Sequence, residues 1–149
     1  MAEAHSLFNS ILVPIDDSQS SMNAGRMAVR LAEQSNSRLF FVYVVDPSVV
    51  QKISGTSGKE PRLVETELTS NADSRLNSLS RLARDTSLDS GRTIRNGDLS
   101  GEIEDLAEKQ HADLIVIGQL DNGGREQSAE GSITEQVIEH APCPVLVVQ

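Results

Sequence analysis

The sequence predicts an α/β domain built on a five-stranded parallel sheet with helices on both faces. Three observations predict it. Short apolar runs alternate with segments of helical spacing, in the order β-α-β-α-β-α-β-α-β. Several of the runs, such as Leu114–Ile117, are apolar without interruption, as in strands covered on both faces. The last third, Ala112 to Gln149, reads as a buried strand, a polar glycine-bearing loop, a helix start and a second buried strand. Crossovers joining such strands are right-handed.

The first strand is Ile11–Ile15, with Pro14 near its end because proline cannot donate to a ladder. Asp16, Asp17 and Ser18 follow as caps for the first helix. That helix buries a face of small residues, Ser21, Ala24, Ala28, Leu31 and Ala32, and so packs close to a sheet. Asn36 and Ser37 break it. Leu39–Val45 is the second strand, ended by Asp46-Pro47. Ser48 to Pro61 reads as a mobile, solvated connection, with Ser54–Lys59 as its candidate disordered part. Leu63 to Ala83 carries Leu68, Ala72, Leu76, Leu79, Leu82 and Ala83 at helical spacing, which makes it the second helix.

Arg92–Arg95 is a short third strand, closed by Asn96-Gly97-Asp98. Asp98 or Ser100 caps a third helix that faces inward with Ile103, Leu106 and Ala107 and ends at His111. Gly118 ends the fourth strand. Ser132 begins a fourth helix with Ile133, Val137 and Ile138 as its apolar positions, stopped by Pro142 and Pro144. Val145–Val148 is the last strand, placed at a sheet edge where it can pair with a second copy.

The chain has 149 residues, read as one domain spanning 1–149, with a formal net charge of −9. That charge argues against nucleic acid or an anionic membrane as partner. No apolar run approaches the ~20 residues that span a bilayer. The start, MAEAHSLFNS, has no cationic n-region and no apolar h-region, so no signal peptide is expected. One cysteine allows no internal disulfide, in keeping with a cytoplasmic location.

Chemistry concentrates at strand ends. Gly118 allows the backbone to leave the fourth strand and approach a ligand. Gly131 and Ser132 open the fourth helix, whose free N–H groups and dipole suit an anion, and Thr134 offers a second hydroxyl. Asp16 suits ribose hydroxyls or a metal-bound water, and equally a cap. No P-loop and no G-x-S-x-G elbow is present. His111 and His140 sit at helix ends, and Cys143 between two prolines reads as an inert thiol. No Cys/His spacing suits zinc, and no residue is assigned a catalytic role.

ILVPIDDS near the start, ADLIVIG, and GSITEQVIEHAPCPVLVV at the end stand in order across the chain. On these segments the chain resembles the universal stress protein family, the UspA-like group. The resemblance implies a Rossmann-like, adenine nucleotide alpha hydrolase-like three-layer sandwich with four helices around five parallel strands. It implies an adenine nucleotide, ATP or AMP, as ligand of a regulatory or stress-response module, with Mg²⁺ or Mn²⁺ as its companion. Pro14 and Asp16 would lie near the adenosine and Val44 and Gly97 near the base. Gly118, Gly131, Ser132, Ile133 and Thr134 would lie near ribose and phosphates. Homodimers formed through the last strand, and an unidentified regulatory protein partner, are implied as well.

ATP-binding members carry G-x2-G-x9-G-[S/T], and here the second glycine is Asp121. A carboxylate ~6 Å from a phosphate charge costs roughly 2–3 kcal/mol at an effective dielectric near 20. That is about 30- to 150-fold in affinity. Glu126 and Glu130 add to it, Arg125 opposes it, and a cation held by Asp121 would invert it. Gly123-Gly124 offers the flexibility that the missing glycine would have given. Two other readings therefore stand beside the nucleotide-binding module: a nucleotide-free dimeric scaffold, and a slow ATPase in which Asp16 places a metal or water.

Overall fold

The computed structural model describes residues 7–120 and 132–149. The elements are β1 (Ser10–Ile15), α1 (Gln19–Ser35), β2 (Arg38–Val45), α2 (Pro47–Ser57), α3 (Pro61–Asp85), β3 (Ser90–Asn96), α4 (Leu99–Lys109), β4 (Leu114–Gly118), α5 (Ile133–His140) and β5 (Val145–Val148). The strands form one parallel sheet in the order β3-β2-β1-β4-β5. The α/β class, the five parallel strands and the edge position of β5 agree with the expectation.

The helix number does not. Among the described residues there are five helices, because the expected mobile connection is largely α2. Asp46 is its N-cap, Pro47 sits in its first turn, and Gly58 closes it at φ 76°. Proline inside the start and glycine past the end is the ordinary asymmetry of a helix, not of a loop. Val50 is buried and Ile53 packs against the core. The helix docks on α3.

Alternating strand side chains divide the core in two. Ile11, Val13 and Ile15 of β1, Phe41 and Tyr43 of β2, and Leu114 and Val116 of β4 face α1, α2 and α3. Leu12, Val42, Val44, Ile115 and Ile117 face α4 and α5. On α1 the buried residues Ser21, Ala24, Gly25, Ala28 and Ala32 keep the helix close to the sheet. Ile138, expected on the inner face of α5, is 49% exposed instead. The inner face is carried by Ile133, Thr134 and Val137.

Two acidic side chains fix how the connections leave the sheet. Buried Asp46 accepts hydrogen bonds from the Ser48 amide (2.9 Å) and hydroxyl (2.8 Å), and from the Leu99 amide (2.9 Å). One carboxylate thus satisfies the starts of α2 and α4, where amides lack helical partners. Asp17, just after β1, accepts from the Tyr43 hydroxyl (2.9 Å) and from Asn71 of α3 (3.1 Å). Arg75 of α3 donates to the Asp17 carbonyl (3.0 Å) and pairs with its carboxylate (3.4 Å).

Replacing Asp46 by alanine leaves the Leu99 amide buried without its acceptor and removes the α2 cap. A loss of about 2–4 kcal/mol is expected, read as a lower urea midpoint by circular dichroism. A loss below about 0.5 kcal/mol, the range of an ordinary surface substitution, would contradict the double-cap role.

Tyr43 gives a second test. Burial, and then the charge of Asp17, hold its phenol well above the ordinary value of 10.0. The folded group keeps its proton where the unfolded one loses it. Its contribution to stability is therefore full below pH 10.0 and lost as pH climbs from there towards the folded value. Tyr43 is the single tyrosine and there is no tryptophan, so near-ultraviolet absorbance reports this group alone. Folded protein is expected to show almost no tyrosinate at pH 10, whereas urea-unfolded protein is half-ionised there. Equal titration of both would refute the buried pair.

Candidate functional site

All strands are parallel, so their carboxyl ends share one edge, and four helices begin there. Ser18 caps α1, Asp46 α2, Asp98 α4 and Ser132 α5. Their unpaired amides and dipoles make that edge attractive to negative charge.

Within the edge, one position differs. From β1 the chain steps outward to β2 and β3, then crosses to β4 and β5 on the other side. β1 pairs with β2 as far as Ile15–Tyr43, and β4 with β5 as far as Gly118–Val148. The β1–β4 ladder covers only Ile11–Leu114 and Leu12–Ile115. The hydrogen-bonded ladder between the two central strands therefore ends just before Pro14, which has no N–H to donate. The helix after β1 packs on one face and the helix after β4 on the other. Such a reversal point, at the carboxyl ends, is where doubly wound sheets open a crevice for ligands.

Three elements meet at the β4 exit. Ser20 of α1 donates its hydroxyl to the Gln119 carbonyl (2.8 Å). Thr134 of α5 donates its hydroxyl to the Gly118 carbonyl (3.0 Å) and accepts from the Leu120 amide (3.2 Å). A Cβ on Gly118 would stand 2.5 Å from the Ser20 carbonyl carbon and oxygen. Gly118 thus lacks a side chain because the α1 backbone occupies that space. Its φ is not positive. The conformational freedom expected of this glycine is not what requires it here; the packing contact is.

The other predicted residues lie along the same edge. Asp16 is half-buried, and its Oδ1 accepts from the Ser18 amide (2.8 Å) and hydroxyl (2.5 Å). The cap of α1 expected of Asp16 is Ser18 instead, and Asp16 holds that serine from the turn before the helix. Ser132 caps α5 by accepting from the Glu135 amide (3.1 Å). Pro14 is buried in β1, and Val44 and Ile133 are buried on the α4/α5 face. Gly97 leaves β3 with φ 156° and donates to the Val45 carbonyl (3.2 Å). Thr134 is 2% exposed, and its hydroxyl is engaged within the chain. Gly131 and Asp121 lie outside the described residues, as do Gly123, Gly124, Arg125, Glu126 and Glu130.

Sequence reasoning missed Ser20 and the pairing of Asp17 with Tyr43, having read Asp17 only as a cap. The serine run Ser18–Ser21 at a helix start was the available signal for the first. The other two come together only through the β1–β2 register. Burial pushes the Cys143 thiol up, consistent with an unreactive side chain. Among the described residues no group of three His, Cys, Asp or Glu could hold a metal ion. Nor is any helix there long and apolar enough to cross a membrane.

Comparison with known proteins bears on this site. The model of the Universal stress protein family matches residues 7–149. A universal stress protein of Methanocaldococcus jannaschii is 32% identical over 143 residues, covering 96% of this chain and 83% of that one. Among solved structures, universal stress protein UspA from Lactobacillus plantarum superposes with a TM-score of 0.78 at 27% identity, covering 99% and 100% of the two chains. The fold is shared also by a universal stress protein in complex with cAMP (TM-score 0.69, 20% identity, coverage 95% and 97%). The universal stress protein from Archaeoglobus fulgidus in complex with dAMP shares it too (TM-score 0.63, 19% identity, coverage 96% and 99%). The chain belongs to the universal stress protein family.

Proposed function

We propose that the chain is a cytoplasmic regulatory module that binds an adenine nucleotide, AMP or ATP, in the crevice between the carboxyl ends of β1 and β4. The observation that carries this reading is the early end of the β1–β4 ladder beside two helix starts. The cAMP and dAMP complexes of proteins with this fold support it. In it, Asp16 faces the ribose and the Ser132–Ile133 amides meet phosphate, with Gly131 beside them. Pro14, Val44 and Gly97 bound the base. Thr134 acts indirectly, by fixing the β4 exit. Any Mg²⁺ or Mn²⁺ would arrive with the nucleotide and offset Asp121.

A homodimer through β5 is part of the same proposal. Val145–Val148 is an edge strand without a charged residue, and its Leu146 is 39% exposed. A partner protein would read the ligand state of that assembly.

Isothermal titration with AMP and with ATP, each with and without Mg²⁺, tests the ligand. Saturable heat is expected, and Asp121→Gly is expected to tighten ATP by about 30-fold or more. No heat and no thermal shift at millimolar nucleotide rejects the module. Affinity that appears only in Asp121→Gly assigns the natural chain to the scaffold class. For the dimer, native mass spectrometry is expected to report two subunits for the parent and one for Leu146→Glu. A parent that is monomeric at micromolar concentration removes that part.

A further inference from the structure

The opposite end of the sheet holds a different kind of site. Between the last turns of α3 and the start of β3 lies a cleft of about 460 Å³, lined by Arg81, Arg84 and Arg92 together with Asn77, Ser80 and Asp89. A smaller cavity of about 180 Å³ shares Asp89, Ser90 and Gly91 with it and adds Arg38. Three of the chain's 13 basic residues thus converge on one cleft, in a protein with 22 acidic residues. Asp89 is the single carboxylate in its lining.

No ion pair among the described residues holds these cations. Among the described residues the ion pairs are Lys59–Glu67, Arg75–Asp17, Arg95–Asp105 and Lys109–Asp105. None involves Arg81, Arg84 or Arg92. Arg84 lies in the last turn of α3, where the helix dipole favours a cation. The dipole explains neither Arg81, a turn earlier on the same face, nor Arg92, on a strand. Arg92 donates to the Asn77 carboxamide, which turns its guanidinium across the cleft towards α3. Helix and strand therefore present guanidinium groups from two sides.

We propose that this cleft binds a small anion carrying several phosphate groups. Its volume lies within the range of about 300–1,000 Å³ usual for small-molecule sites. Each guanidinium offers a planar fork of donors. A carboxylate, with two coplanar oxygens, satisfies one such fork. Linked tetrahedral phosphates present oxygens in several directions and meet forks from both walls. The site is separate from the crevice at the carboxyl ends, since β3 enters here at Ser90 and reaches that edge at Asn96.

Inorganic triphosphate, titrated into the full chain at low salt, is the probe. One equivalent is expected to bind, about tenfold or more weakly in Arg84→Gln/Arg92→Gln and in Arg81→Gln, because each change removes charge-assisted hydrogen bonds. All three side chains are exposed, so the variants are expected to keep the parent's circular dichroism. Absence of heat at millimolar triphosphate, equal affinity in parent and variants, or citrate binding as tightly as triphosphate would each overturn the assignment.

Discussion

The contact between Gly118 and the backbone of α1 sets the geometry of the functional edge. With a Cβ position 2.5 Å from Ser20, no side chain fits at the end of β4 unless α1 lifts off the sheet. The helix is held down along its length by Ala24, Ala28 and Ala32, each fully buried. Small residues on a helix allow that approach, and close packing makes it rigid. Once α1 is down, Ser20 can reach the Gln119 carbonyl, and the β4 exit is fixed from one side. Thr134 fixes it from the other. The start of α5 therefore inherits its place from a contact made by α1, on the opposite face of the sheet.

Acidic side chains do the corresponding work at the remaining connections. The chain is strongly acidic, yet its carboxylates at the carboxyl edge are not simply repelled surface charge. Asp16, Asp46 and Asp98 accept from backbone amides at helix starts. Asp46 serves two starts, so the spacing of α2 and α4 across the sheet depends on one buried group. An anionic ligand at this edge would compete with these carboxylates for positive potential. The starts of α1 and α5 are capped by uncharged serines, Ser18 and Ser132, although Glu135 stands in the first turn of α5.

Much of this was legible in the chain. Apolar runs identified β1, β2, β4 and β5, because burial on both faces leaves no polar alternation, whereas the half-exposed edge strand β3 was read short, as Arg92–Arg95. Gly118, Ser132 and Asp16 were singled out correctly as edge residues. What failed did so where one signal had two meanings. Asp46-Pro47 ends a strand and equally begins a helix, and only the later Gly58 and the spacing of Val50 and Ile53 favour the helix. Gly118 was assigned conformational freedom, whereas its role is to leave room for another backbone, which no local pattern reveals. The contacts of the Thr134 hydroxyl with the Gly118 carbonyl and Leu120 amide depend on how α5 meets β4, which no local pattern reveals. Ile138 sits at helical spacing yet points outward, because α5 is only eight residues long and docks by one face.

The two sheet edges show how the chain can admit one neighbour and refuse another. Both β3 and β5 have an unpaired side, and an unpaired strand is a template for association. β3 carries Arg92 and Arg95, and its flank holds Arg81 and Arg84. A second copy approaching there would set like charges opposite one another, which costs energy at a strand pair. β5 carries four aliphatic residues, of which Leu146 is 39% exposed. Self-association through β5 meets no such opposition, and it leaves the arginine-lined cleft facing solvent at the far edge. Among the described residues the arginines lining that cleft form no ion pair, so their charge is open to an anion in a protein of net charge −9.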